Sequence, residues 1–116
     1  MPDDVSFEVE RLGTHSVVRP TGYLDISTSP RLREALRDLP VGSEGAVILD
    51  LSSIEFLDSS ALGVILSAWK HLQAEDAKLL VVSPQAPITK IFEVTGLTLS
   101  INLYSSLEEA DADLGV

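Results

Sequence analysis

The sequence predicts an α/β fold: a mixed, mostly parallel sheet of about five strands with about four helices packed on it. Three observations carry this expectation. The apolar pattern switches repeatedly between a period near two and a period near 3.6, so strand and helix segments alternate along the chain, as they do when helices cross over between parallel strands. Two short runs, Ala46-Val47-Ile48-Leu49 and the Leu79-Leu80-Val81-Val82 that follows Lys78 in the strand Lys78 to Val82, are apolar at consecutive positions, which marks strands covered on both faces. The first two strand segments lie close together around Gly13 and read as a hairpin, which makes the sheet mixed.

Each element follows from its own signals. Val5-Ser6-Phe7-Glu8-Val9-Glu10 alternates apolar and polar, Gly13 breaks the run, and Ser16-Val17-Val18-Arg19-Pro20 reads as the second strand with Gly22 at its exit. Ser27-Thr28-Ser29-Pro30 starts a helix: hydroxyls are available to cap, and proline suits the first turn. Leu32, Ala35, Leu36 and Leu39 then share one helical face, and Pro40 and Gly42 close the segment. The central strand leads through a loop to a helix from about Ser60 to Ala74, where Leu62, Ile65, Leu66, Trp69 and Leu72 recur at helical spacing. Trp69, the sole tryptophan, is expected to pack at least in part on the sheet formed by residues 46–49 and 79–82. Pro84 and Pro87 end the next strand, and Ile88, Ile91 and Phe92 form a shorter helical stripe that stops near Thr95-Gly96. Ile101-Asn102-Leu103-Tyr104 reads as a last short strand. Ser106-Leu107-Glu108-Glu109 reads as a capping box opening a helix that runs to Gly115, with Ser106 bonding the Glu109 amide and Glu109 reaching back.

Composition narrows the functional classes. The 116 residues fit one domain, and a hydrophobic share of 45% excludes a disordered chain. Cysteine is absent, which excludes disulfides and thiol-based nucleophiles or metal sites. Met1-Pro2-Asp3-Asp4 is acidic where a signal peptide is basic and then apolar, so a cytoplasmic protein is expected. The apolar runs are too short to cross a bilayer, so no membrane association is expected. The net charge of −10, from 18 acidic and 8 basic residues, argues against binding nucleic acid through its phosphates. His15 and His71 lie far apart without matched partners, and no H-x-x-x-H, G-x-S-x-G or P-loop pattern occurs. The expectation is a protein that is not an enzyme and holds no metal or cofactor.

Phe56-Leu57-Asp58-Ser59-Ser60-Ala61-Leu62-Gly63 poses the functional question. Asp58 or a following serine is placed to cap the helix, a role worth about 1 kcal/mol. One such residue suffices for a cap, and three stand in a row. The surplus hydroxyl would lie at a helix N-terminus, where partial positive charge tolerates a phosphate. Cap and switch remain open on the residues alone.

Three motifs together resemble the STAS domain family of anti-sigma factor antagonists. Gly22-Tyr23-Leu24-Asp25 with Pro30-Arg31-Leu32-Arg33-Glu34-Ala35-Leu36 resembles its first motif. Asp50-Leu51-Ser52 with Phe56 to Gly63 resembles its central phosphorylation motif, and Phe92-Glu93-Val94-Thr95-Gly96-Leu97 resembles its third. They occur in the family's order and spacing and span nearly the whole chain. The resemblance implies a STAS-like single domain over residues 1–116 and a bacterial partner-switching role. In that role the unphosphorylated chain binds an anti-sigma factor that is also a GHKL-type serine kinase, freeing a sigma factor. Phosphorylation of the serine after the Asp, here Ser59, releases the chain, and a PP2C-type phosphatase reverses the modification. The implied contact surface comprises Tyr23, Asp25, Ser27, Asp58, Ser59, Ser60, Leu62 and Gly63. Tyr23 stands where the family usually has Glu, and Ala61 where it usually has Gly. The alternative expectations are a STAS module scaffolding a sensory complex and an accessory subunit of a membrane transporter.

Overall fold

A computed structural model describes residues 5–12, 15–39 and 45–114. The strands are β1 (Val5–Leu12), β2 (His15–Leu24), β3 (Ala46–Asp50), β4 (Ile54–Leu57), β5 (Lys78–Val82) and β6 (Asn102–Tyr104). The α-helices are α1 (Ser29–Arg37), α2 (Ser59–Ala74), α3 (Ala86–Val94) and α4 (Leu107–Asp113), with a single 3-10 turn at Leu97–Leu99. The sheet runs β1-β2-β3-β5-β6, with β1 antiparallel to β2 and the later neighbours parallel. The expected mixed, mostly parallel sheet with four helices is therefore present. The breaks expected at Gly13, Pro40, Gly42 and Gly115 lie outside the described residues.

The sheet has six strands rather than about five. The additional one is β4, a four-residue strand inside the segment that reads as a loop. It exists because β2 is longer than its sequence signal. Gly22 does not end β2; at φ 114° it allows a register shift, and the strand continues to Leu24. The first part of β2 pairs with β3, and the last part, from Gly22 across the shift to Leu24, pairs in parallel with β4. Tyr23 and Leu24 are therefore strand residues and not part of a loop.

Alternation along the strands divides the core. Val18, Val47, Leu49, Leu79 and Val81 point to the side where Leu32 of α1, Ile65 of α2 and Phe92 of α3 complete the main cluster. Val17, Ile48, Leu80 and Val82 point to the opposite side, where Ala110 of the short α4 closes a smaller cluster. On that second side Glu8 and Arg19 are register partners. The Arg19 guanidinium donates to Glu8 (3.2 Å) and to the buried Asp50 carboxylate (3.0 Å), which raises its pKa, chiefly through Asp50. Asp50 also accepts the Ser52 amide at 3.0 Å, and the Gln85 side chain donates to the carbonyls of Ser52 and Ile54. The Asp50-Leu51-Ser52 motif thus fixes the turn that aims β4.

Capping follows the sequence with two changes. Ser106 accepts the Glu109 amide as expected, but Glu109 reaches to Ser105, whose amide and hydroxyl both donate to it. Thr28 occupies the N-cap of α1 without capping it, because its hydroxyl donates instead to the Tyr23 carbonyl at 2.8 Å. On α2 the buried stripe is Ala61, Leu62, Val64, Ile65 and Leu72, while Leu66 and Trp69 are only partly buried. Trp69 does pack against the main cluster, in part, as expected. Because its ring keeps solvent contact, Trp69→Ala should lower stability by about 2 kcal/mol rather than the ~3–5 kcal/mol of a fully buried ring. Urea unfolding of the two proteins measures this directly.

Candidate functional site

The candidate site is built where β2 and β4 end together. Leu24 and Leu57 are register partners, and the Asp58 amide donates to the Leu24 carbonyl at 3.1 Å. The loop after β2 and the start of α2 therefore emerge side by side, which brings the first and central motifs into one surface.

Both acidic residues are committed to local order. The Asp58 carboxylate is the N-cap of α2 and accepts the amides of Ser60 (2.9 Å) and Ala61 (3.3 Å). This accounts for one of the three polar residues in a row. The Asp25 carboxylate accepts the Ser27 amide (2.9 Å), the Ser27 hydroxyl (2.7 Å) and the Thr28 amide (3.2 Å), and so closes the turn that precedes α1. These bonds, first the one from the Ser27 hydroxyl, hold the Asp25 carboxyl below its usual value of 3.8.

A depressed acid stabilises the fold above its unfolded pKa, and that contribution disappears as pH falls through the lower folded value. The turn should therefore hold at neutral pH and loosen as acid takes the solution below 3.8. Hydrogen exchange at the Ser27 and Thr28 amides should show this loss of protection, and Asp25→Ala should remove the pH dependence.

Ser59 is the first residue of α2 and is exposed; Ser60, next to it, is partly buried. Among the described residues the Ser59 hydroxyl makes no hydrogen bond. Gly63 lies on the exposed side of α2, where an added Cβ would meet nothing within 4 Å. Leu62 differs from expectation: it is only 7% exposed and belongs to the core, so it anchors the helix and offers little to a surface contact. Its place in the helical stripe outweighs its nearness to Ser59 in sequence. Ala61 is fully buried, so its methyl faces the core and leaves the approach to Ser59 open.

An apolar pad adjoins this surface. Tyr23 and Phe56, cross-strand partners on β2 and β4, are 43% and 45% exposed, with ring centroids 6.1 Å apart. Ile26, in the loop between them and α1, is 77% exposed. Phe56 escapes a reading from sequence because its exposure follows from β4. Ile54 and Leu57 are buried while Glu55 and Phe56 between them are exposed, a pattern without strand alternation that follows only from the shifted pairing with β2.

Among the described residues no cluster of three or more His, Asp or Glu side chains is arranged to hold a metal ion. Nor is any helix among them long and apolar enough to cross a membrane.

Comparison with known proteins agrees with this architecture. Residues 6–110 match the STAS domain family. The anti-sigma-B factor antagonist of Listeria monocytogenes is 32% identical over 97 residues, covering 82% of this chain and 84% of its own. The crystal structure of an anti-sigma factor antagonist from Mycobacterium paratuberculosis superposes with a TM-score of 0.80 at 27% identity, over 100% of this chain and 98% of its own. The phosphorylated form of the Bacillus cell fate determinant SpoIIAA has the same fold, with a TM-score of 0.71 at 23% identity over 94% of this chain and 99% of its own.

Proposed function

Since the chain belongs to the STAS domain family, we propose that it is an anti-sigma factor antagonist whose binding is switched by phosphorylation at Ser59. The single observation that carries the reading is the Ser59 hydroxyl: exposed, uncommitted, and held at the first position of a capped helix. The antagonist role of the Listeria monocytogenes relative supports the same reading.

In this reading the partner is an anti-sigma factor that is also a GHKL-type serine kinase, and a cytoplasmic PP2C-type phosphatase restores the hydroxyl. ATP and metal belong to those partners, so the chain acts by binding and not by catalysis. The capped start of α2 presents Ser59 in a fixed position, and the loop that leaves β2 alongside it carries the Asp25 turn with Ser27. Tyr23, Phe56 and Ile26 supply desolvated area next to the hydroxyl; aromatic side chains of this kind dominate the energetics of many interfaces. Tyr23, in place of the family's usual Glu, makes this edge apolar where relatives carry charge, so the partner's matching surface is apolar too.

The test is capture from a cell extract with the unphosphorylated protein, followed by mass spectrometry of what is retained. Recovery of a GHKL-type kinase is expected, and Phe56→Ala should weaken its binding by about tenfold. Recovery of transporter subunits or of a sensory scaffold, without such a kinase, would overturn the reading.

A further inference from the structure

We infer that the groove between α1 and α2 binds a single-chain amphiphile with an anionic head, of the fatty-acid class. The two helices pack side by side on the sheet and leave a cavity of about 360 Å³ between them, a volume at the small end of ligand pockets. Its floor is apolar, formed by Leu36 of α1, Val64 and Leu72 of α2, and Val47 of the strand beneath. Its rim is cationic on one side. Arg33 and Arg37 stand one helical turn apart on α1, facing His71 and Glu75 one turn apart on α2.

Charge distribution singles out this rim. The chain carries 18 acidic against 8 basic residues. Yet both arginines here are exposed and, among the described residues, make no hydrogen bond or ion pair. Among the described residues Glu75 is the one carboxylate lining the groove, and it forms no salt bridge with either arginine. Two uncommitted guanidinium forks beside an apolar slot match a carboxylate joined to a hydrocarbon tail. The slot descends to the sheet between packed helices, so it admits a slender chain; an α-helix, with side chains about 10–12 Å across, would not enter.

Titration with dodecanoate below its micelle concentration, followed by calorimetry and by amide shifts, tests the assignment on the full chain. Saturable one-to-one binding is expected, with the largest shifts on α2 between Val64 and Leu72 and on α1 at Arg33 to Arg37. The double variant R33E/R37E changes only exposed side chains and should weaken binding by about tenfold or more. Ala68→Phe, which fills the slot from α2, should abolish it; a melting curve shows whether each variant is folded. Absence of saturable binding would overturn the inference. So would equal affinity for dodecyltrimethylammonium, affinity unchanged in R33E/R37E, or shifts confined to the exposed pad of Tyr23 and Phe56.

Discussion

Phosphorylation of Ser59 should leave the melting transition of the free protein in place and weaken its binding to the proposed anti-sigma factor kinase by at least about tenfold, or ~1.4 kcal/mol. The phosphate adds about −1.5 to −2 charges at pH 7, on a chain that already carries −10. In the free protein the charge stands in water at an exposed position, where salt screens it. The helix N-terminus attracts it by about 0.3–1 kcal/mol. That attraction is blunted here, because the Asp58 carboxylate already occupies the amides of Ser60 and Ala61 and repels a second anion. The opposing effects are small beside a stability of ~5–15 kcal/mol, so the fold survives. In a complex the same phosphate would be pressed against a surface shaped for a neutral hydroxyl, and an unpaired buried charge costs several kcal/mol. Calorimetric titration of both forms with the anti-sigma factor, beside thermal melts, reads the two effects separately. Equal affinities would refute the switch, and a collapsed melting transition would mean that it works by unfolding. Incubation with kinase and ATP should modify wild type and Ser60→Ala at Ser59 and leave Ser59→Ala unmodified. The exposure of Ser59 over the partly buried Ser60 is the basis for that choice.

Phe92→Ala should destabilise the protein by about 3–5 kcal/mol, a large part of its total stability. Phe92 is fully buried in the main cluster, between α3 and the sheet. Its helix ends two residues before Gly96, whose φ of 79° is a left-handed conformation that glycine adopts without strain. The third motif is thus an anchor and a stop: Phe92 fastens α3, and Gly96 turns the chain toward the fully buried Ile101. Urea unfolding measures the loss. A change below about 1 kcal/mol would mean that the site collapses around the missing ring. Because Phe92 lies in the core and Ser59 on the surface, binding measured at a temperature where the variant is still folded should be close to wild type. That contrast separates what holds the fold from what faces a partner.

Much of the fold was legible because its signals are local. The two buried strands declare themselves by consecutive apolar residues, and α2 by a stripe from Leu62 to Leu72. Pro30 and Gly96 mark ends through backbone restrictions that act within one residue. The hydroxyl at Ser59, following a capping aspartate, was legible for the same reason: a helix start is encoded within four residues. Long-range pairing decided the rest. Ile54-Glu55-Phe56-Leu57 is a strand only because β2 overruns its glycine and offers an unused edge, and four residues carry too little periodicity to announce it. Tyr23 and Phe56 form an exposed aromatic pair because those two strands meet, although the residues lie far apart in the chain. Leu62 left the contact surface and Ala61 turned inward because the helix is oriented by its buried stripe. The sequence alone determined the helices, the strands other than β4, and the polar run that starts α2. Only tertiary packing decided which side chains surround that position, because a residue's exposure depends on neighbours brought in from distant parts of the chain.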